Sequence, residues 1–79
     1  MIAVKFRKPS DPPVDMRVRP EGTVVVFVPC SVAGQQWLED NVHSEPWQWL
    51  GDGLVVERRP GMTLVEAMVM EGLQVEVGN

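Results

Sequence analysis

The stretch Thr23-Val24-Val25-Val26-Phe27-Val28 decides the fold of this 79-residue chain. It contains no charged residue and consists almost wholly of β-branched and aromatic side chains, which favour strands. An apolar run of this length, ended by Pro29, is typical of a strand covered on both faces, because a strand with one face in water would alternate apolar and polar residues. The sequence therefore predicts that residues 23–28 form the central strand of a single core.

Two segments of different character precede this strand. Residues 1–8 alternate apolar and polar side chains, which predicts a half-buried edge strand. Residues 8–22 contain four prolines, which remove backbone donors and fix φ, so neither a central strand nor a helix interior is expected there. We interpret residues 8–22 as a Pro-rich basic arm or loop, within which residues 14–18 could form a short strand.

The residues after the central strand predict a first helix from about Val32 to Asn41. Ser31 is suited to be its N-cap, since its hydroxyl can accept from a first-turn N–H. The helical spacing of apolar residues predicts one buried face, made of Ala33, Trp37, Leu38 and Val42. The last turn carries Glu39 and Asp40, where the helix macrodipole disfavours negative charge. This conflict indicates either a functional surface or two simply solvated carboxylates.

The stretch from Trp47 to Glu57 is typical of a β-hairpin. Asp52-Gly53 between two apolar runs favours the positive φ values of a type I′ turn. In such a hairpin Trp47 and Trp49 would share one face. We expect Trp49 in the core, whereas Trp47 either covers the central strand or serves as an aromatic anchor at an interface, where tryptophan is enriched.

The C-terminal part predicts a second helix and a final strand. Residues 58–61 are expected to form a turn, and Thr63-Leu64-Val65-Glu66 has the spacing of a capping box, so we expect the helix to begin there. It is expected to end at Gly72. Strict alternation over Leu73 to Val77 predicts an edge strand. Since exposed edge strands can pair between chains, both a monomer and a homodimer remain open.

These elements predict an α+β fold: a single small domain, with a mainly antiparallel sheet of four to five strands and two helices on one face. The expected core contacts join residues of the two helices to residues of the strands, namely Trp37, Leu38, Leu64 and Met68 to Val24, Val26, Phe27, Val28 and Val55.

The composition speaks against enzymatic and metal chemistry. With one cysteine and one histidine, the chain cannot form an internal disulfide, and a metal site is not expected. Cys30 is expected as a small buried residue at a strand-to-helix junction. The alternative is a thiol activated by the helix N-terminus, with His43, otherwise an exposed loop residue, as its base. No glycine-rich phosphate loop is present, and we expect neither enzymatic activity nor a cofactor.

The hydropathy pattern bears on localisation. No apolar run approaches the roughly 18 residues that span a bilayer, and no signal-peptide stretch opens the sequence. We therefore expect a cytoplasmic protein.

Charge is divided unevenly along the chain. Residues 1–19 carry five basic and two acidic side chains, whereas the remainder carries two basic and nine acidic ones, for a net charge of −4. The acidic part suits a basic protein partner, whose phosphate-binding groove carboxylates could occupy. The predicted acidic surface consists of Glu39, Asp40, Glu45 and Asp52. The alternative is nucleic-acid binding through a basic patch of Lys5, Arg7, Lys8, Arg17, Arg19, Arg58 and Arg59.

A family resemblance supports the hypothesis of an acidic surface that binds a basic protein partner. It rests on Val28-Pro29, Trp37, residues 47–51, residues 54–58 and residues 72–75. Through these the chain resembles small proteins carried by phages and plasmids of proteobacteria, and in size, charge and architecture it is similar to anti-CRISPR proteins. The resemblance implies a bacterial host cell and a protein partner such as a CRISPR surveillance complex, whose access to DNA would be blocked.

Overall fold

The computed structural model describes residues 14–78, which form one five-stranded sheet and two α-helices. The elements are β1 (Met16–Glu21), β2 (Val24–Pro29), α1 (Val32–Asn41), β3 (Trp49–Leu50), β4 (Gly53–Glu57), α2 (Arg58–Met70) and β5 (Val75–Val77), with a 3₁₀ turn at Pro46–Gln48. The strand order is β3-β4-β2-β1-β5, antiparallel except for the parallel pair β1 and β5. The α+β class and the central position of β2 are confirmed. The edge strand predicted for residues 1–8 lies outside the described residues.

Both helices pack on the face of the sheet that carries Val25 and Phe27. The buried cluster on this face consists of Met16, Val18, Val25, Phe27, Trp37, Leu38, Leu54 and Met68. Gly61 of α2 lies so close to Val25 that a Cβ would overlap it, which lets the helix approach the centre of the sheet.

The opposite face of the sheet corrects two expectations. Val24, Val26 and Val28 alternate with the buried Val25 and Phe27, so they point away from both helices, as does Val55, which pairs with Val26. The predicted helix contacts of these four valines are therefore wrong, and only Phe27 was placed correctly. Val26 is buried, but Val24, Val28 and Val55 are half-buried, so β2 is fully covered on one face only.

Strand β1 corrects the prediction for the Pro-rich segment. The short strand considered for residues 14–18 is present, but it spans Met16–Glu21 and lies inside the sheet between β2 and β5, a position that was not expected for this segment. Pro20 is tolerated because its nitrogen points towards β5, on the same side as the Val18 carbonyl that accepts from Gly78 N (3.0 Å). The pairing with β5 ends at Val18, so no ladder hydrogen bond is lost at Pro20.

Helix α1 begins and ends where the sequence predicts. Ser31 is its N-cap, and its Oγ accepts from Gly34 N at 3.0 Å. Trp37 and Leu38 are buried, but the expectation for Ala33 is wrong: Ala33 is exposed and Gly34 faces inward instead. The inward position is occupied by glycine because a Cβ there would overlap the carbonyl oxygen of Asp15.

The hairpin of β3 and β4 is shorter than predicted. Leu50 pairs with Gly53, so the turn residues are Gly51 and Asp52. Gly51 has φ 63° and Asp52 does not have a positive φ, which is the sign pattern of a type II′ turn, so the type I′ prediction is wrong.

The hairpin strand also starts later than predicted, because residues 46–48 form a 3₁₀ turn. The side-chain amide of Gln48 donates to Val55 O (3.4 Å). This side-chain bond takes the place of the next backbone hydrogen bond between β3 and β4. Trp47 and Trp49 therefore do not share a strand face. Trp49 packs against the core as expected, and its Nε1 donates to Ser44 Oγ at 3.2 Å.

Helix α2 starts five residues before the predicted capping box. The N–H of Arg58 donates to Thr23 O at 2.9 Å, and Pro60 lies in the first turn, where no helical acceptor exists for an N–H. Thr63 Oγ1 donates to Arg59 O (3.4 Å) within the helix. The predicted turn at residues 58–61 and the predicted capping box are therefore both wrong.

The end of α2 confirms the prediction. Gly72 has φ 93°, and the N–H groups of Gly72 and Leu73 donate to Val69 O and Met68 O, each at 3.0 Å. This is a Schellman motif. Strand β5 follows as the sheet edge. Among residues 14–78, neither helix has the length and apolar character that a membrane span requires.

Candidate acidic interaction surface

The two carboxylates of the last turn of α1, Glu39 and Asp40, are exposed as predicted. Gln35 Nε2 donates to Glu39 Oε2 at 3.1 Å, and Gln36 Nε2 donates to Asp40 Oδ1 at 3.0 Å. These bonds one helical turn apart hold both carboxylates along the helix surface. We call the pair Glu39 and Asp40 the α1 acidic end.

The electrostatics of the α1 acidic end are uncompensated within residues 14–78. The last turn contains no basic residue, and neither carboxylate forms an ion pair with a described residue. The carbonyl end of a helix adds a partial negative charge of about half an electron. Two carboxylates and a helix terminus of the same sign therefore lie together, and such an arrangement attracts cationic groups.

The segment between α1 and β3 places Glu45 and Trp47 on the surface. Glu45 N donates to Gln48 Oε1 at 2.8 Å, and Gln48 N donates to Glu45 O at 2.9 Å. Gln48 is in turn bonded to β4, and Trp49 to Ser44. Trp47, in the middle of this bonded turn, has 77% of its surface exposed. The expectation that Trp47 covers the central strand is therefore wrong, and its side chain is exposed to solvent.

Asp52 does not lie with the other predicted carboxylates. It lies in the turn between β3 and β4 and lines a depression of about 350 Å³ with Arg17, Arg19 and Glu76. These three residues belong to the sheet face opposite the helices. The sheet therefore separates Asp52 from the α1 acidic end, and the four predicted carboxylates do not form one surface.

Three of the four described basic residues are held by partners within the chain. Arg17 Nε pairs with Glu76 Oε1 and Arg19 Nε with Glu21 Oε2, each at 2.9 Å. Arg58 Nη1 donates to Gly22 O at 3.0 Å, and Arg59 follows it, exposed, at the start of α2. The other members of the predicted basic patch, Lys5, Arg7 and Lys8, lie outside the described residues.

Cys30 is exposed, so its predicted burial is wrong. Its Sγ donates to Val28 O at 3.4 Å, and the structure of residues 14–78 shows no hydrogen bond between Cys30 and His43. His43 is an exposed loop residue, as expected. No group of three or more His, Cys, Asp or Glu side chains with metal-site geometry occurs among the described residues.

The sequence reasoning missed Asp15, which fixes the start of α1. Its Oδ1 accepts from Ser31 Oγ (2.7 Å) and its Oδ2 from Gln74 N (2.9 Å). The Gln74 backbone N–H, and secondly the Ser31 hydroxyl, hold the pKa of Asp15 below its usual value. No local signal could have shown this, because the partners are 16 and 59 residues away.

The candidate site is thus the α1 acidic end, and the turn at Pro46–Gln48 with Glu45 before it forms a second exposed group that includes Trp47. Each part is fixed by hydrogen bonds to neighbouring residues, and each exposes its functional groups to solvent. Neither a protein family, nor a curated protein, nor a solved structure matches the chain.

Proposed function

We propose that this protein is a non-enzymatic interaction protein that binds a basic, nucleic-acid-handling protein complex in the cytoplasm through the α1 acidic end. The observation that carries this proposal is the placement of Glu39 and Asp40, both exposed and oriented by glutamines at the negative end of a helix. The resemblance to anti-CRISPR proteins of mobile elements supports a surveillance complex as the partner.

A physical argument links this placement to inhibition. Like charge at a helix C-terminus costs about 0.3–1 kcal/mol per group when exposed. A cationic partner would reverse that cost, because it brings opposite charge to the same position. A groove that binds nucleic-acid phosphates is lined with closely spaced arginines and lysines, which would supply this opposite charge. Carboxylates seated there compete with phosphate, and occupation alone blocks DNA without any bond being made or broken.

The test compares two charge-reversal variants on a purified CRISPR surveillance complex. E39K/D40K inverts the α1 acidic end. E66K/E71K changes the net charge equally at two exposed positions, one within α2 and one at its C-cap, and serves as the matched control. Binding is measured by biolayer interferometry at several salt concentrations, and DNA binding by the complex is measured in parallel.

We expect the wild-type protein to bind, to weaken steeply as salt rises, and to reduce DNA binding. E39K/D40K should abolish both effects, while E66K/E71K should retain them. Equal binding by all three proteins, or affinity that does not change with salt, would refute the proposal.

A gel shift with double-stranded and single-stranded DNA separates this proposal from the nucleic-acid-binding alternative. We expect no retardation at micromolar protein in low salt, because Arg17 and Arg19 are already paired. Retardation that is lost in R58E/R59E would support the alternative instead.

A further inference from the structure

The face of the sheet opposite the helices is more apolar than a solvated face usually is. An antiparallel sheet with one face in water alternates apolar and polar residues along each strand. Strand β2 instead places Val24, Val26 and Val28 on this face, and Val55 of β4 lies beside Val26. We call these four valines the valine face. Within residues 14–78 both helices pack on the other side of the sheet, so neither of them covers it.

The strand register places opposite charges at the two ends of the valine face. Arg17 of β1 pairs with Val28, and Glu21 of β1 pairs with Val24. We call these two ends the Arg17 end and the Glu21 end. Both charged side chains form ion pairs within the chain, yet more than half of each is exposed. Each can therefore meet a further group of opposite charge.

Two depressions continue this division of charge across the sheet. At the Arg17 end a depression of about 350 Å³ reaches Asp52, in the turn before β4. At the Glu21 end a depression of about 460 Å³ is lined by the start of α2, with Glu57, Arg58 and Arg59. The β4 side is therefore negative at the Arg17 end and carries a net positive charge at the Glu21 end. Each end of the face thus carries both signs, in opposite order from β1 to β4.

We propose that the valine face binds a second copy of this chain around a two-fold axis that crosses the strands at Val26. Such an axis lays the Arg17 end of one copy over the Glu21 end of the other. Arg17 then faces the partner subunit's Glu21, and Asp52 faces the positive charge at the start of α2 in the partner. Every contact occurs twice, as an isologous interface requires.

Apolar burial supplies the attraction in this dimer, and charge sets its orientation. The same axis places Val28 over the partner subunit's Val24, and removal of this apolar surface from water favours association. Sheets that pack face to face keep their strands nearly aligned, and opposite charges across an interface fix its register. The inference does not depend on the proposed function, because the α1 acidic end belongs to a helix on the other side of the sheet.

The experiment measures the mass of the full chain by sedimentation velocity, from micromolar to several hundred micromolar protein. R17E and E21R are studied separately and as an equimolar mixture. In either variant alone, both Arg17–Glu21 contacts of the dimer become contacts between like charges. In a mixed dimer both contacts again join opposite charges. Circular dichroism confirms that each variant is folded.

We expect wild-type protein to dimerise with rising concentration, and each single variant to dimerise roughly tenfold more weakly or worse. The mixture should regain dimers close to the wild-type level. Lost ion pairs within a chain cannot produce this recovery, because mixing does not restore them. E76R is the matched control: it makes the same charge change as E21R on the same face and breaks the bridge to Arg17, but Glu76 lies outside the proposed contacts, so E76R should dimerise like wild type.

Two results would overturn the inference. One is wild-type protein that remains monomeric over the whole concentration range. The other is a mixture of R17E and E21R that associates no more strongly than the two variants do alone. Neither result bears on the α1 acidic end, whose test uses other residues.

Discussion

The Oδ1 atom of Asp15 accepts a hydrogen bond of 2.7 Å from the hydroxyl of Ser31, the N-cap of α1. The same carboxylate accepts from Gln74 N beside β5. One side chain before β1 therefore ties together the start of a helix and the entry to the edge strand. Because Ser31 is the N-cap, Asp15 ties the first turn of α1 to the end of the sheet that carries β1 and β5.

We predict that D15N lowers the free energy of unfolding by about 1–2 kcal/mol at neutral pH, since hydrogen bonds to a charged group are lost. An asparagine side chain can accept from one partner but presents its NH₂ group to the other. Urea unfolding followed by tryptophan fluorescence measures the change. D52N is the matched control, since Asp52 makes no side-chain hydrogen bond with a described residue, and it should change stability little.

The lowered pKa of Asp15 gives this prediction a pH dependence. A carboxyl group whose pKa is depressed in the folded state stabilises the protein at every pH above its unfolded value. That contribution is lost as the pH falls through the lower, folded-state pKa. The difference between wild type and D15N should therefore be constant near neutrality and shrink below about pH 4. A difference that grows on acidification would contradict the assigned hydrogen bonds.

Gly34 should resist a substitution that usually stabilises helices. Glycine to alanine in an exposed helix position gains about 0.5–1 kcal/mol. At Gly34 the new Cβ would overlap Asp15 O, which is itself fixed as the acceptor of Cys30 N at 2.9 Å. We predict that G34A costs about 1–3 kcal/mol, as overpacking does. Thermal unfolding by circular dichroism tests this, and a raised Tm would refute it.

The neighbouring position supplies the control for G34A. Ala33 is exposed on the same helix, so only helix propensity should act there. A33G is expected to lower stability by about 0.5–1 kcal/mol. A loss of stability in both variants would show that position 33 prefers alanine while position 34 prefers glycine, so that contact with Asp15, and not helix propensity, decides at Gly34.

The sequence predicted the order and type of most elements, because these depend on local patterns. The cap at Ser31, the end of α2 at Gly72 and the alternation of β5 are all signals within a few residues. What it could not predict was which face of β2 meets the helices. An uninterrupted apolar run has no polar residue to mark the outer face, so Val24, Val26 and Val28 were assigned to the wrong side.

The other errors arose where distant contacts outweighed local signals. The capping-box spacing at Thr63 is real, but Thr23 O satisfies an N–H at Arg58 and lets the helix start earlier. The two central residues of the hairpin turn are Gly51 and Asp52 and not the predicted Asp52 and Gly53, because Leu50 pairs with Gly53. For the site, exposed acids at the end of α1 were predictable from spacing alone. Their separation from Asp52 depends on strand order, which no local pattern contains.

Two tryptophans allow the effect of a buried N–H to be measured within one protein. Trp37 is 6% exposed, and its Nε1 has no acceptor in the part of the chain that the structure describes. Trp49 Nε1 donates to Ser44 Oγ. Replacing either indole by its benzothiophene isostere, which has sulfur instead of N–H, leaves the ring shape nearly unchanged.

We predict that this isostere at Trp37 leaves the free energy of unfolding unchanged or raises it by about 1 kcal/mol, because an unsatisfied buried donor disappears. At Trp49 the same exchange should lower it by about 1 kcal/mol, because a made hydrogen bond is lost. Denaturant unfolding of the two variants gives the comparison. An equal loss at both positions would mean that the Trp37 N–H is satisfied after all.

Gly72 is the position where backbone conformation alone should limit substitution. Its φ of 93° is strained for any residue with a Cβ, although a Cβ built there would meet no atom within 4 Å. We predict that G72A lowers the free energy of unfolding by about 1 kcal/mol, without a steric clash. Gly78 is equally open but does not have a positive φ, so G78A should stay within about 0.5 kcal/mol of wild type. Urea unfolding measures both variants, and a shifted midpoint at an unchanged dependence of the unfolding free energy on urea gives the change in stability. Equal stability of G72A and G78A would show that the Schellman motif does not require glycine.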